Sequence, residues 1–461
     1  MIVHQLARFV QEASFEDLSR EALTQLKIRL LDSLGTAIGA VEGPPAQAIR
    51  SMITDSLGGN ARSTLIGGGQ TAPDRAALYN SALVRYLDFN DSYLAEGETC
   101  HPSDNIGSIL AAGETTEMNG REFLTALAVA YQVQCRLSDE APVRDKGFDH
   151  TTQGSYAVAA GVSRALGLDQ EQTAHALAIA GTALNALRVT RTGALSHWKG
   201  LAYPHTAFGG THAALLASHG ITGPPAVFEG NKGFMDSIAG DFSIDWDQED
   251  LERVTRTIIK KFNAEIHSQS AIEGIIELRD RHGLRGGEVA SIDIEIFEVA
   301  YHIIGGGEEG DKTVVRTKEE ADHSLQYMVS AALLDGQVMP EQYRPERIES
   351  EDIQSLLRRV QVSPDGEYSD RFPDAMPVRI TVHLENGERH RIEKSDYEGF
   401  HTRPMSWDTV MDKFTGLAAP YTTPQLRERI VEAVQDFENR TVPELMRLLR
   451  EVRLSPKNSN S

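Results

Sequence analysis

The chain has 461 residues, of which 40% are hydrophobic, so it is long enough for two or three domains and too apolar for wholesale disorder. Its formal net charge of -22 argues against nucleic acids and anionic membranes as partners. Its two cysteines, Cys100 and Cys135, exclude a disulfide scaffold and are too few for the usual all-cysteine ligation of an iron–sulfur cluster.

The N-terminal segment has no signal-peptide pattern, because Glu12 and Glu16 interrupt any apolar run. No apolar stretch reaches the roughly 20 residues that a membrane-spanning helix requires. We therefore expect a soluble, cytoplasmic protein that does not associate with membranes.

The first part of the chain has the apolar periodicity of buried helices. The predicted helices cover residues 15–40, 121–137, 154–166, 169–187 and 206–218. Ser14 or Ser19 is expected to cap the first of them, and Asn119 the second. No alternation of strands and helices is present, so a parallel sheet is not expected here.

The pattern changes near residue 285. Ile292, Ile294 and Ile296 alternate with polar residues, which predicts a half-buried strand. Residues 378–384 and 389–392 flank an Asn-Gly pair, which predicts a hairpin with a type I′ turn.

Helices are predicted around these strands and after them. They cover residues 319–334, 352–359, 426–437 and 442–452, with a further helix start at residues 406–409. We therefore predict a mainly α fold, with a large helical domain of residues 1–268 and 402–461 and an inserted α+β domain of residues 269–401. The tail, residues 455–461, is predicted to be disordered.

One stretch between two predicted helices, residues 86–105, concentrates polar side chains. It contains Asp88, Asn90, Asp91, His101 and Asp104. Polar groups at a connection between buried helices are typical of a site carried by a rigid scaffold. Two alternatives are a structural cluster, in which Ser103 or Asp104 caps the next helix, and a metal site formed by Asp88, Asn90, Asp91 and His101.

The segments Asp88-Phe-Asn-Asp-Ser92 and His101-Pro-Ser-Asp-Asn105 resemble the signature of the MmgE/PrpD family. The resemblance continues, in the same order, at residues 146–151, 196–200, 259–267 and 317–327. This family contains 2-methylcitrate dehydratases, cis-aconitate decarboxylases and some epimerases, and the dehydratase branch is the most similar. The resemblance implies a helical domain that contains both chain ends, a smaller lid domain that closes over the site, and a homodimer.

The resemblance also implies roles for individual residues. His101 would transfer the proton, and Asp88 would orient His101 or exchange protons. His150 would be a second catalytic imidazole. His150 precedes a predicted helix, where the helix dipole favours a neutral ring. Asn90, Asp91 and Ser92 would contact the substrate.

Lysines are expected to bind the substrate carboxylates. Lys199 lies close to the start of a predicted helix, where it can act as a point charge. Lys260 and Lys261 follow two isoleucines, so one of them is expected to be partly buried; the resemblance favours Lys260. Arg188 and Arg191 are weaker candidates for the same role.

Dehydration of a hydroxy-tricarboxylate needs a base, an acid and cations that hold the carboxylates. The sequence has no G-x-G-x-x-G motif between a strand and a helix, and we expect neither a cofactor nor a metal. The prediction is a lyase that dehydrates 2-methylcitrate or a close tricarboxylate such as citrate. Alternatives are a cis-aconitate decarboxylase, a dicarboxylate epimerase and a non-catalytic tricarboxylate-binding protein.

Overall fold

The computed structural model describes residues 1–56, 62–192, 195–308 and 310–454; the tail predicted to be disordered lies outside the described residues. The described residues are mostly helical, with small sheets, which confirms the predicted mainly α character of the fold. Among them, no helix is both long enough and apolar enough to cross a membrane.

Helices dominate the chain up to residue 257. They are α1 (Ile2–Glu12), α2 (Arg20–Gly39), α3 (Pro44–Ser56), α4 (Pro73–Tyr86), α5 (Ile106–Thr115), α6 (Gly120–Glu140), α7 (Thr151–Ala165), α8 (Gln170–Ala183) and α9 (Trp198–Ser218). Two short antiparallel hairpins interrupt them, formed by β1 (Ser63–Thr64) with β2 (Gln70–Thr71) and by β3 (Tyr93–Ala95) with β4 (Glu98–Cys100).

The later part of the chain combines helices with a mixed sheet. Its helices are α10 (Gln269–His282), α11 (Glu298–Ala300), α12 (Lys318–Ala321), α13 (Leu325–Asp335), α14 (Pro345–Ile348), α15 (Glu351–Leu357) and α16 (Gly366–Ser369). Its strands are β5 (Val289–Ile296), β6 (Val360–Pro364), β7 (Val378–Leu384) and β8 (Arg389–Lys394), in the order β6-β5-β7-β8. The chain ends in α17 (Trp407–Ala418), α18 (Pro424–Gln435) and α19 (Val442–Arg450).

The chain divides into two compact units. The first comprises residues 1–191, 198–257 and 406–461, and the second comprises residues 192–197 and 258–405. The predicted domain boundaries and the lid role of the second unit stay predictions.

Several predicted element boundaries differ from the observed ones. The first long helix begins at Arg20 rather than at residue 15, and the Ser19 side chain caps it by accepting from Ala22 N. Helix α9 begins at Trp198 rather than at residue 206 and contains Pro204. A proline inside a helix removes one N–H donor, and its ring crowds the carbonyl four residues before it, so the packing of the buried helix must offset this cost.

The hairpin of β7 and β8 is confirmed, but its predicted type I′ turn is wrong. Leu384 N donates to Glu388 O at 2.9 Å, and Gly387 N donates to Leu384 O at 3.0 Å. Gly387 has a φ of +86°, whereas Asn386 is not in the left-handed region. A three-residue loop of this kind joins a type I turn to a left-handed glycine.

The polar stretch of residues 86–105 connects α4 to α5. It contains the unpredicted hairpin β3–β4 and a 3-10 turn, Pro102–Asn105, which continues into α5. The predicted cap by Ser103 or Asp104 is wrong, because Asn105 occupies the N-cap position of α5 and its side chain makes no cap hydrogen bond. Helices α4 and α5 pack against each other, and α4 also packs against α9.

Gly107 brings α5 close to α4. A Cβ added at Gly107 would lie 2.5 Å from Ser81 N and 2.9 Å from the Asn80 carbonyl carbon. Both atoms belong to the backbone, so the helices themselves would have to separate. The polar stretch begins and ends on these two helices, and its geometry therefore depends on their close approach.

We expect Gly107→Ala to destabilise the protein by about 1–3 kcal/mol, the usual cost of overpacking a core. Denaturant unfolding would measure the change. Gly416→Ala in α17 is the matched control, because a Cβ there meets no atom within 4 Å. That substitution should leave the stability unchanged or raise it by about 0.4–1 kcal/mol. Equal stability of the two variants would contradict the packing argument.

Candidate active site

Asp88 follows the C-terminal end of α4 in a strained conformation. Its φ is +54°, in the left-handed region that residues with a Cβ adopt at a cost. Its N–H donates to Arg85 O at 3.0 Å. Strained residues of this kind persist only where the surrounding structure enforces them, and they concentrate at functional sites.

Two buried cations contact the Asp88 carboxylate. Arg85, in the last turn of α4, forms an ion pair with Oδ1, and Lys199 Nζ lies 3.1 Å from Oδ2. Lys199 lies in the first turn of α9, so the ion pair joins the start of α9 to the end of α4. The three side chains are almost fully buried, which strengthens their electrostatic interaction relative to a surface pair.

His101 is held by the backbone and side chain of the same loop. Its Nδ1 lies 2.8 Å from the Asp91 carbonyl oxygen and 3.1 Å from Ser92 Oγ. A carbonyl oxygen only accepts, so we assign the proton to Nδ1. Nε2 is then the unprotonated nitrogen of the neutral ring.

His150 occupies the N-cap position of α7 and is buried. Its ring lies 5.4 Å from that of His101, edge to face, and 6.1 Å from that of Tyr203. Among the described residues, neither ring nitrogen has a hydrogen-bond partner. Nε2 lies 3.8 Å from Asp149 Oδ1, beyond hydrogen-bond distance, so the ring keeps its hydrogen-bonding capacity for a ligand.

Burial lowers the pKa of His150 to about 3, against the opposing charge of Asp149 and with help from Arg191 and Arg85. The ring is therefore neutral near pH 7. Arg191 forms an ion pair with Asp149, in which Arg191 Nε lies 2.5 Å from Asp149 Oδ2. The predicted neutral imidazole agrees with this shift, although the main cause is burial rather than the helix dipole.

Asn90 and Asp91 face inward. Asn90 Nδ2 lies 2.9 Å from both Ser103 Oγ and Asp104 Oδ1. Asp91 accepts from Tyr131 Oη at 2.7 Å and from Ser103 N at 3.1 Å. These hydrogen bonds fix the conformation of the loop. Binding of the substrate by the Asn90 and Asp91 side chains stays a prediction.

The sequence predictions missed Arg85 and gave Asp104 no role beyond a helix cap. Arg85 Nε lies 3.7 Å from Asp104 Oδ2, so one guanidinium contacts both Asp88 and Asp104. Burial raises the pKa of Asp104 to about 7, and the nearby charge of Asp91 adds to the shift while Arg85 opposes it. The spacing of Arg85 and Asp88 across the end of a helix is a signal that could have indicated the pair.

The two remaining predicted residues lie in the second unit. Lys260 is buried, and its charge helps to lower the pKa of Glu265, against the effect of burial. Lys261 is about one-third exposed and pairs with Glu398 at 2.8 Å and with Glu273 at 3.3 Å. The environment of Lys261 is that of a structural ion pair, which favours Lys260 as the predicted ligand of a carboxylate.

Comparison with known proteins gives matches along almost the whole chain. The model of the MmgE/PrpD N-terminal domain matches residues 4–247, and that of the MmgE/PrpD C-terminal domain matches residues 262–439. A 2-methylcitrate dehydratase of Escherichia coli K12 is 28% identical, with 92% of this chain and 91% of the relative covered. A mitochondrial 2-methylcitrate dehydratase of Yarrowia lipolytica is 26% identical, with 97% of this chain and 89% of the relative covered. A fungal alkylcitrate dehydratase is 29% identical, with 86% of this chain and 83% of the relative covered.

The raised pKa of Asp104 predicts a pH-dependent stability. An unfolded chain releases this proton near pH 4, whereas the folded protein keeps it up to about pH 7. Between these values the folded state binds more protons, so the contribution of Asp104 to the free energy of unfolding falls as the pH rises. Asn cannot titrate, and Asp104→Asn should therefore gain stability relative to the wild type between about pH 4 and about pH 7.

Denaturant unfolding of both proteins across this range would measure the difference. Asp280→Asn is the control, because the Asp280 side chain is well exposed. A difference between Asp104→Asn and wild type that does not change with pH would contradict the raised pKa.

Proposed function

The chain belongs to the MmgE/PrpD family and is a hydro-lyase, and we propose that it dehydrates 2-methylcitrate or a close tricarboxylate such as citrate. The names of the relatives support this substrate class, because dehydratases of 2-methylcitrate or alkylcitrate match over most of the chain. The observation that carries the proposed mechanism is the pair of buried imidazoles, His101 and His150, whose rings lie 5.4 Å apart.

His101 is the proposed proton-transfer residue. Dehydration removes a proton from the carbon beside a carboxylate, and the hydroxyl leaves the neighbouring carbon as water after gaining a proton. With Nδ1 donating to the Asp91 carbonyl, Nε2 of His101 can accept the carbon-bound proton. Ser92, 3.1 Å from Nδ1, helps to fix the orientation of the ring.

His150 is proposed to bind the substrate hydroxyl or a carboxylate as a neutral ring. A neutral imidazole offers one N–H donor and one acceptor, which matches a hydroxyl group. Its low pKa prevents it from competing for the proton that His101 removes. The charge of Arg85 lowers the pKa of His150, and Arg85 also pairs with Asp88. The three side chains therefore interact electrostatically.

Lys199 and Asp88 are proposed to act together. Asp88 holds Lys199 at 3.1 Å, and the Lys199 ammonium is proposed also to bind a substrate carboxylate as a point charge. Cations beside the carboxylate stabilise the negative charge that develops when the carbon loses its proton. This local arrangement reconciles an anionic substrate with a protein of net charge -22. Contact of Lys260 with the substrate and the homodimer stay predictions.

The assay that tests the function is incubation with 2-methylcitrate, citrate and cis-aconitate, with mass-spectrometric identification of the products. Loss of water from a hydroxy acid would support the proposal. Loss of carbon dioxide from cis-aconitate would instead identify a decarboxylase. Binding without turnover of any of the three would identify a tricarboxylate-binding protein.

We expect His101→Ala to lower kcat by roughly 10²–10⁴-fold, the range for a positioned general base or acid. Circular dichroism should show an intact fold, because the change removes no large apolar group from the core. His219→Ala is the matched control, since His219 is an exposed residue after the end of α9. A folded His101→Ala enzyme with nearly normal kcat would overturn the proposed role.

Lys199→Ala is expected to weaken substrate binding, with a rise in KM of roughly tenfold or more, because it removes a buried partner of a carboxylate. Steady-state kinetics would measure the effect. Lys232→Ala, which changes a lysine whose side chain is 80% exposed, should leave KM unchanged. An unchanged KM in Lys199→Ala would place this lysine outside the binding site.

We propose catalysis without a metal. Asp88 shares its carboxylate oxygens with Arg85 and Lys199, so a divalent ion bound there would meet two fixed positive charges. Full activity is expected after treatment with a chelator and dialysis. Activity lost on chelation and restored by one divalent ion would show that a metal takes part.

A further inference from the structure

Lys413 on α17 reaches the backbone of the loop that carries Asp88. Its Nζ donates to the Phe89 carbonyl oxygen at 2.8 Å and lies 3.8 Å from the centroid of the Phe89 ring. The same Nζ forms an ion pair with Asp32 Oδ1 on α2 at 2.7 Å. Lys413 is largely buried and Asp32 completely so, which places both charges inside the protein.

A second cation from α2 reaches the same loop. Arg29, one helical turn before Asp32, has its Nε 3.9 Å from Asp91 Oδ2. The Arg29 guanidinium is itself fixed, because Nη2 donates to Thr257 O at 2.6 Å. Residues 89–91 are therefore held at one end through the Phe89 carbonyl and at the other through the Asp91 side chain.

Stability alone does not explain the buried pair of Lys413 and Asp32. Removing two charges from water is costly, and well-packed apolar residues of similar volume are often equally stable or more stable. Burial raises the pKa of Asp32, which reflects this cost, although Lys413 opposes the shift. An apolar pair, however, could not donate to the Phe89 carbonyl.

The Phe89 carbonyl lies between the two parts of the loop that the proposed chemistry uses. Asp88, directly before it, has the left-handed φ of +54° and contacts Lys199. Asp91, two residues after it, accepts from His101 Nδ1 through its carbonyl. A contact that fixes the Phe89 peptide therefore restricts both the strained Asp88 backbone and the carbonyl that sets the tautomer of His101.

We infer that Lys413, together with Asp32, is a positioning residue that fixes the loop from Asp88 to Asp91 and so holds Asp88 and His101 in their working geometry. This role rests on the proposed function of His101 as the proton-transfer residue. Lys413 acts through the Phe89 carbonyl, and its loss should lower kcat more than it raises KM.

The experiment compares Lys413→Met with the double variant Lys413→Met/Asp32→Leu. The single change leaves Asp32 buried without its partner and should lower Tm. The double change removes both charges and should recover most of the lost Tm. If Lys413 positions the loop, kcat should stay at least roughly tenfold below wild type in the double variant, since the donor to Phe89 O is still missing. Lys413→Arg, which keeps a donor and a charge, should retain more activity than Lys413→Met.

Lys27→Met is the matched control. Lys27 on α2 makes the same two kinds of contact, an ion pair with Glu438 and a hydrogen bond to the Gln435 carbonyl oxygen. Neither contact involves the loop from Asp88 to Asp91. Its loss should lower Tm without changing kcat. A double variant of Lys413 and Asp32 that recovers kcat together with Tm would overturn the inference, because Lys413 would then be merely structural.

A second readout does not depend on turnover. The ¹⁵N chemical shifts of the His101 ring report its tautomer, and the His101→Ala protein assigns the signals. The Nδ1–H tautomer should dominate in the wild type. In the single and double variants that carry Lys413→Met, provided that they fold, both tautomers of the His101 ring should be populated. Unchanged signals would overturn the inference. If the wild type dehydrates no tricarboxylate, the proposed function fails, and the ring signals still decide whether Lys413 positions His101.

Discussion

The site depends on one buried ionic contact, the carboxylate of Asp88 between Arg85 and Lys199. It joins the end of α4 to the start of α9 and involves a residue whose backbone is in the left-handed region. Neither cation could be buried alone without a large desolvation cost, and the carboxylate offsets that cost for both. The ion pairs contribute to the surrounding structure that holds Asp88 in its left-handed conformation.

The charge distribution around this contact separates two histidines of the same chemical type. His101 is fixed by a backbone carbonyl, which places the ring proton on Nδ1 and leaves Nε2 unprotonated. His150 is kept neutral by burial and by neighbouring arginines. Environments that differ in this way allow a proton-transfer group and a neutral hydrogen-bonding group to lie side by side.

The buried site contains three cationic side chains, although the protein as a whole is strongly negative. A net charge of -22 would repel a tricarboxylate at long range, but solvent screens surface charges over a distance of about 8 Å at physiological salt. Arg85, Arg191 and Lys199 lie inside the first unit, where screening by salt is weak. Each is paired with a carboxylate of the protein, so the protein itself fixes the positions of the cations.

Apolar periodicity and short motifs are local properties of the chain, so the mainly α character and the polar stretch could be predicted from the sequence, and the resemblance of the motifs indicated most candidate residues. The same resemblance predicted catalytic roles for His101 and His150, although they are far apart in the sequence. The packing of the helices brings the two rings to 5.4 Å, lets Arg85 bridge Asp88 and Asp104, and places Lys199 in the first turn of a helix that contains Pro204. The contact of Lys413 with Phe89 joins residues 324 positions apart. Such contacts depend on how helices pack, and no local pattern in a single sequence encodes them.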